Sequence, residues 1–209
     1  MNATPEQQAV FESQASVMKI KAGAGTGKTT TLEGLARCHP RERILYLAFN
    51  KAIKEEAQSR FPSNVRAMTA HGLAFSKVGR YYADEPGKLS HGELKPFQVN
   101  PLFTASLSQM PKGLHNLYGG RVIGTVKTFL VSADLELGPA HLCFGASPAE
   151  KKHFSPETVL LDARVLWHAM QSFDTKIPMT HDGYLKLFQL ENPDLGYDRI
   201  LLDEAQDTN

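Results

Sequence analysis

Apolar and polar positions alternate in two rhythms along the first eighty residues. Thr4-Pro5-Glu6-Gln7 reads as a helix start, with Thr as N-cap, Pro at the first helical position and Gln closing a capping box. That helix would run to about Ala15 and bury Val10 and Phe11. A short apolar run, Val17-Met18-Lys19-Ile20-Lys21, predicts a strand, and Thr29 to Cys38 predicts a helix. Arg43 to Phe49, with Ile44-Leu45-Tyr46-Leu47-Ala48 unbroken, reads as a buried parallel strand. Asn50 to Arg60 is helical in composition and stops before Pro62; Val65 to Thr69 is a further strand, followed by a helix from about Ala70 to Tyr82. Strands alternating with helices predict an α/β layer.

The alternation stops at about Ala83, and as far as Leu195 the patterns are mostly helical, broken by Pro and Gly. Val159, Ala163, Leu166, Trp167 and Met170 fall on one helical face and predict packing. Arg199-Ile200-Leu201-Leu202-Asp203 reads as a last buried strand, ending in Asp203-Glu204-Ala205-Gln206-Asp207. The simplest organisation is an α/β domain of residues 1–82 plus 196–209, interrupted by a helical insertion over 83–195.

Composition narrows the classes. A hydrophobic fraction of 42% in 209 residues is enough for a folded core. Cys38 and Cys143 lack CxxC spacing, so neither a disulfide framework nor a zinc site is expected, and each reads as a buried small residue in a reducing compartment. The polar N-terminus has no signal-peptide core and no apolar run approaches a membrane span, so a cytoplasmic location is expected, or a nuclear one in a eukaryote. Residues 1–80 hold 12 Lys+Arg against 6 Asp+Glu, whereas residues 81–209 are net acidic. The basic half suits either a polyanion-binding surface or ordinary solvated surface.

The chemistry sits in Ala22-Gly23-Ala24-Gly25-Thr26-Gly27-Lys28-Thr29-Thr30, between the first expected strand and its helix. Strand, glycine-rich turn and helix are the setting of a phosphate-binding P-loop. The glycines let backbone N–H groups approach an anion, and the helix adds its N-terminal dipole. Lys28 would reach the β and γ phosphates of a nucleoside triphosphate and the Thr29 hydroxyl would take Mg²⁺. Hydrolysis needs a second set of groups. Asp203 can hold the metal, Glu204 can orient and polarise a water, and Gln206 can sense the γ-phosphate. Gln7 can read one edge of adenine with its amide, or serve only as a capping residue. Leu94 to Ala133 has no acidic residue and interleaves Lys95, Lys112, Arg121 and Lys127 with Phe97, Phe103, Tyr118 and Phe129. Such a stretch is either a single-strand track or the core of the insertion.

These segments together resemble superfamily 1 helicases of the UvrD/Rep type. Thr4 to Val10 resembles their Q motif, and Ala22 to Thr30 resembles motif I, in which Ala commonly replaces the first Gly. Ala48-Phe49-Asn50-Lys51-Ala52 is similar to motif Ia, Thr69-Ala70-His71-Gly72-Leu73 to motif Ib, and Leu202 to Asn209 to motif II. Thr180-His181-Asp182-Gly183-Tyr184-Leu185-Lys186 is similar to the F-box DNA helicase-like branch. The resemblance implies a P-loop NTPase fold, a RecA-like parallel sheet (1A) with an inserted helical subdomain (1B). It further implies ATP and Mg²⁺ as cofactors, 3′→5′ movement on single-stranded DNA, and Asn50, Lys51, Thr69 and His71 along the DNA channel. Relatives place a motif Ia aromatic two residues before the Asn, whereas Phe49 adjoins Asn50, so Phe49 is expected to be buried as readily as to stack on a base. Complete enzymes of this type continue into a second RecA-like domain that supplies catalytic arginines. The 209 residues are therefore expected to be the N-terminal part of such an enzyme. They would depend on that second domain, or on a chain supplying it, and alone would turn over ATP very slowly and leave a sheet edge exposed. The other expectation is a non-catalytic nucleotide- or DNA-binding module.

Overall fold

The computed structural model describes residues 3–23, 25–90, 92–145 and 147–205. They divide into two compact units, one of residues 1–72 with 194–208 and the other of residues 73–193.

The first unit is a parallel sheet with helices. Helix α1 (Pro5–Glu12) starts with the expected capping box: the Thr4 hydroxyl accepts from Gln7 N–H and the Gln7 carbonyl oxygen accepts from Thr4 N–H. It ends at Glu12, three residues earlier than its pattern implies, with Ser13 as C-cap. Helix α2 (Lys28–Cys38) follows the glycine-rich turn, and β1 (Ile44–Ala48), α3 (Lys51–Arg60) and β2 (Val65–Thr69) keep to their expected places within a residue or two. Strand β3 (Arg199–Leu202) closes the set, and the sheet order is β2-β1-β3, all parallel. The core is formed by Leu35 and Ala36 of α2, Ile44, Tyr46 and Ala48 of β1, Ala57, Ala67 and Leu201, with Val10 and Phe11 packed against it.

Two expectations about the sheet fail. Val17 to Lys21 is not a strand: the segment from residue 13 to residue 23 is irregular and pairs with neither edge. Its apolar content is too thin to be buried, with Val17 87% exposed and lysines on either side of Ile20. Strand β3 is not a buried strand, because it lies at an edge of the described sheet and keeps only Leu201 inside while Ile200 and Leu202 face outward.

Polar side chains fix the amino ends of the strands. The Asn64 amide donates to the carbonyls of Ala36, His39 and Glu42 (3.4, 3.0 and 3.1 Å), tying the end of α2 to the approach to β1. Beside it, the Arg199 guanidinium grips the Glu42 carboxylate at 2.7 and 3.1 Å, and Arg43 grips Asp198 at 3.3 and 3.1 Å. These forked pairs join residues more than 150 positions apart and hold β3 against β1.

The second unit is helical among its described residues. It contains α4 (His115–Leu130), α5 (Pro156–Gln171) and α6 (His181–Glu191), with shorter helical turns before α4 and between α4 and α5. Val159, Ala163, Leu166 and Met170 are fully buried and the Trp167 ring meets the edge of Phe129, so this stripe is packing. Tyr118 of α4 donates to the buried Asp162 of α5 at 2.6 Å. Phe103, Tyr118 and Phe129 all lie in this core, which removes three of the four rings from any single-strand track; only Phe97 is exposed. Neither cysteine is buried as expected, since Cys38 is exposed and Cys143 half-exposed.

The clamp predicts a definite acid response. Arg199 lowers the Glu42 carboxyl below its ordinary value of 4.5, and Arg43 lowers Asp198 below 3.8. A depressed folded-state value means a contribution fully present above the unfolded value and lost as pH falls through the folded one. Glu42→Gln and Asp198→Asn are therefore expected to melt earlier than the parent at neutral pH. They are also expected to lose less of their melting temperature than the parent between about pH 5 and pH 3, as read by circular dichroism.

Candidate nucleotide-binding site

In a parallel sheet every carboxyl end points the same way, and the loops leaving those ends share one rim. Here the chain leaving β1 carries Phe49 and Asn50 and opens α3 at Lys51, a helical turn of Ala70–Ala74 directly after β2 carries His71 and Gly72, and the chain leaving β3 carries Asp203 and Glu204.

The glycine-rich turn is built by backbone conformations that favour glycine. Gly25 and Gly27 have φ of +72° and +84°, and Gly27 is the N-cap of α2 in the left-handed region. A glycine cap brings no side-chain oxygen, so the first amides of α2 have no side-chain cap. The turn is tightened by the Thr26 hydroxyl on the Gly23 carbonyl (2.8 Å) and by Thr31, whose N–H and hydroxyl both reach the Gly27 carbonyl (2.8 and 3.0 Å). Ala22 and Gly23 are exposed ahead of it, and Ala24 lies outside the described residues. Thr29 opens the helix just after Lys28, and the Thr30 hydroxyl accepts from Arg60 of α3 at 3.4 Å.

Lys28 and Glu204 meet although 175 positions separate Lys28 from Asp203: Lys28 Nζ is 2.8 Å from Glu204 Oε1, each side chain about one-third exposed. Glu204 has a φ of +49°, unusual for a side chain with a Cβ. Asp203 is held from two sides. Its Oδ2 accepts from the Tyr46 hydroxyl at 2.6 Å and its Oδ1 from Glu204 N–H at 3.0 Å. Burial and this hydrogen bond raise the Tyr46 phenol above its ordinary value, so it stays a donor. Gln206 lies outside the described residues.

Gln7 joins α1 to α2: its amide nitrogen donates to the Thr31 hydroxyl at 3.0 Å while its oxygen closes the capping box. A cleft of about 350 Å³ opens there, lined by Gln7, Phe11, Thr30, Gly34, Arg37 and Cys38 among others. On the rim, Asn50 caps α3 by accepting from Ile53 N–H (3.0 Å), and Lys51 is exposed with Glu55 3.7 Å away. Thr69 accepts from Gly72 N–H (3.0 Å), and His71 is exposed. Ala48 pairs with Thr69, so the four residues Asn50, Lys51, Thr69 and His71 cluster at adjacent strand ends. Phe49 is 57% exposed, so of the two readings offered for it burial falls: it stands past the last core residue, Ala48. Tyr46 and Arg60 escaped sequence reasoning. Tyr46 left one signal, a hydroxyl inside an otherwise apolar strand, while Arg60 looked like any helix-end cation.

Among the described residues no three His, Cys, Asp or Glu side chains gather as a metal cage. One hydroxyl and one carboxylate beside a phosphate-binding turn suit Mg²⁺, which keeps several waters and uses few protein ligands together with substrate phosphates.

Comparison with known proteins agrees with this geometry. The family model described as an AAA domain matches residues 6–209. The chain is 37% identical to F-box DNA helicase 1 of Gallus gallus across 98% of its own length and 21% of that protein. It is 36% identical to F-box DNA helicase protein 1 of Schizosaccharomyces pombe, again across 98% of itself and 25% of the relative. The chain thus spans a quarter or less of the length of these curated relatives. No solved structure matches. With a P-loop turn, a parallel sheet and this match over nearly its whole length, the chain belongs to the AAA-domain family of P-loop NTPases, in its UvrD/Rep-like helicase branch.

Proposed function

We propose that this chain is the ATP-binding part of an ATP-dependent 3′→5′ DNA helicase, coupling hydrolysis to movement on single-stranded DNA. The observation that carries the reading is the contact of Lys28 with Glu204, which joins the phosphate-binding turn to the acidic strand end. The turn from Ala22 through Thr30 wraps the phosphates, with Lys28 on the β and γ groups. Thr29 and Asp203 hold Mg²⁺, which when bound neutralises phosphate charge. Glu204 orients the attacking water and Gln206 senses the γ-phosphate. Gln7 faces the base from the adjoining cleft; among the described residues its amide oxygen is engaged by Thr4 N–H and its nitrogen by the Thr31 hydroxyl, which uses one of two N–H groups and one of two lone pairs. Asn50, Lys51, Thr69 and His71 contact DNA from the rim. The second RecA-like domain, in the same polypeptide or another, supplies the arginines for turnover, worth roughly 10³–10⁵ in rate where such groups have been measured.

The Glu204 carboxylate engages the ammonium that the phosphates require. A phosphate group competes with it for that ammonium, and Glu204 then sits as a negative charge near the anion it orients water toward.

Two measurements test this. ATP turnover, assayed with and without single-stranded DNA, is expected to be slow for the chain alone, and Lys28→Ala is expected to weaken ATP binding at least tenfold. DNA-stimulated turnover lost in Lys28→Ala identifies a chain complete enough to be an enzyme. ATP binding indifferent to Lys28→Ala overturns the reading, and Lys28-dependent binding with no effect of DNA identifies a non-catalytic nucleotide module. Second, Glu204→Gln is expected to tighten binding of Mg²⁺-free ATP several-fold by removing the competing carboxylate, while lowering any turnover. Isothermal titration with a non-hydrolysable analogue reads the first effect.

A further inference from the structure

Tyr46 stands inside the sheet, and its hydroxyl needs a reason. In the β1–β3 register Tyr46 is opposite Leu201, so Asp203 lies two positions further on and on the same face. That face carries the α2 residues Leu35 and Ala36, with which Tyr46 shares the core. The ring is fully buried and rests on Phe61 with centroids 4.8 Å apart. A Phe would fill the same space. What the phenol adds is one donor, and that donor is spent on Asp203 Oδ2 at 2.6 Å.

The second Asp203 oxygen accepts from Glu204 N–H, so the carboxylate is gripped at both ends and cannot turn about its Cβ–Cγ bond without losing one of them. Each oxygen keeps a further lone pair, because an ionised carboxylate offers about four acceptor sites. Both grips come from inside the sheet and its last turn, and neither uses the lone pairs a cation would take. One of them is a charge-assisted hydrogen bond from a side chain that packing immobilises.

We propose that Tyr46 is a positioning residue for the divalent-cation site: its phenol O–H fixes the orientation of the Asp203 carboxylate and thereby sets how much Mg²⁺ the nucleotide site requires. The inference rests on the reading that Asp203 holds Mg²⁺ beside a nucleotide bound at Lys28. Tyr46 touches neither nucleotide nor metal. It acts through Asp203, so its removal should leave the Mg²⁺-independent part of nucleotide binding alone.

The test titrates Mg²⁺ against binding of a fluorescent ATP analogue to the 209-residue chain, for the parent, Tyr46→Phe, Asp203→Asn and the double variant. Tyr46→Phe is expected to leave Mg²⁺-free affinity within about twofold and to raise half-saturating Mg²⁺ about tenfold, the loss of one oriented ligand. In the Asp203→Asn background Tyr46→Phe should add nothing. Asp203→Glu, which keeps the charge but carries it one methylene beyond the hydroxyl, should raise the Mg²⁺ requirement while Tyr46 is intact. A Tyr46→Phe chain that melts lower but needs the same Mg²⁺ overturns the proposal. So does an equal shift in the Asp203→Asn background, or an Asp203→Glu chain with parental Mg²⁺ dependence. If instead Lys28→Ala leaves Mg²⁺-free binding unchanged, the nucleotide reading itself falls. Loss at Lys28→Ala with no Tyr46 effect removes only this inference.

Discussion

The alignment of three strand ends is the constraint from which the rest of the first unit follows. A parallel sheet sends every chain out at the same rim, and β1, β2 and β3 deliver an asparagine-lysine pair, a threonine-histidine pair and two carboxylates to it. The ammonium of Lys28 arrives from the head of α2, which lies on the face that Tyr46 and Leu201 share. Had β3 slipped by one residue, Asp203 would have turned to the opposite face, away from Tyr46. The forked pairs Glu42–Arg199 and Arg43–Asp198 sit at the amino ends of the same strands and guard against that slip.

Charge in the rim is arranged to be redistributed. One cation and one carboxylate pair with each other, and the second carboxylate leans on a phenol and an amide. Neither arrangement leaves a bare charge in a half-buried place, which would be costly. On the proposed reading the Lys28–Glu204 contact is exchanged for one to a phosphate while both bonds to Asp203 remain, and the strands that carry them do not move.

Much of this was legible because it is local. Helix α1 announces itself by Thr4, Pro5 and Gln7; β1 and β2 by unbroken or β-branched runs; the turn by its glycines. What stayed hidden is what depends on neighbours. Val17 to Lys21 has a strand's composition, yet a strand exists only by pairing, and sequence does not show whether a partner edge is within reach. The outward-facing Ile200 and Leu202 have the same cause: an apolar run looks the same at an edge and in the middle of a sheet. Phe103, Tyr118 and Phe129 were ambiguous because cations between aromatics suit a nucleic-acid track as well as a helix with a wet and a dry side, and only burial decides. Within the site, Lys28, Thr29, Asp203 and Glu204 could be named from motif spacing, whereas Tyr46 could not, since its significance lies in a register read across two strands.

The distance in sequence between β1 and β3 also governs when the site can come into being. Residues 73–193 lie between them, and a strand pair closed over so long an interval forms late in folding, after local helices and the β1–β2 pair. The entropy of closing the interval grows only as the logarithm of its length, about 0.6 kcal/mol for each doubling, so the insertion is tolerated at equilibrium while slowing assembly. A ribosome delivers Lys28 long before Glu204. Throughout that interval the glycine-rich turn exists without its acidic counterpart.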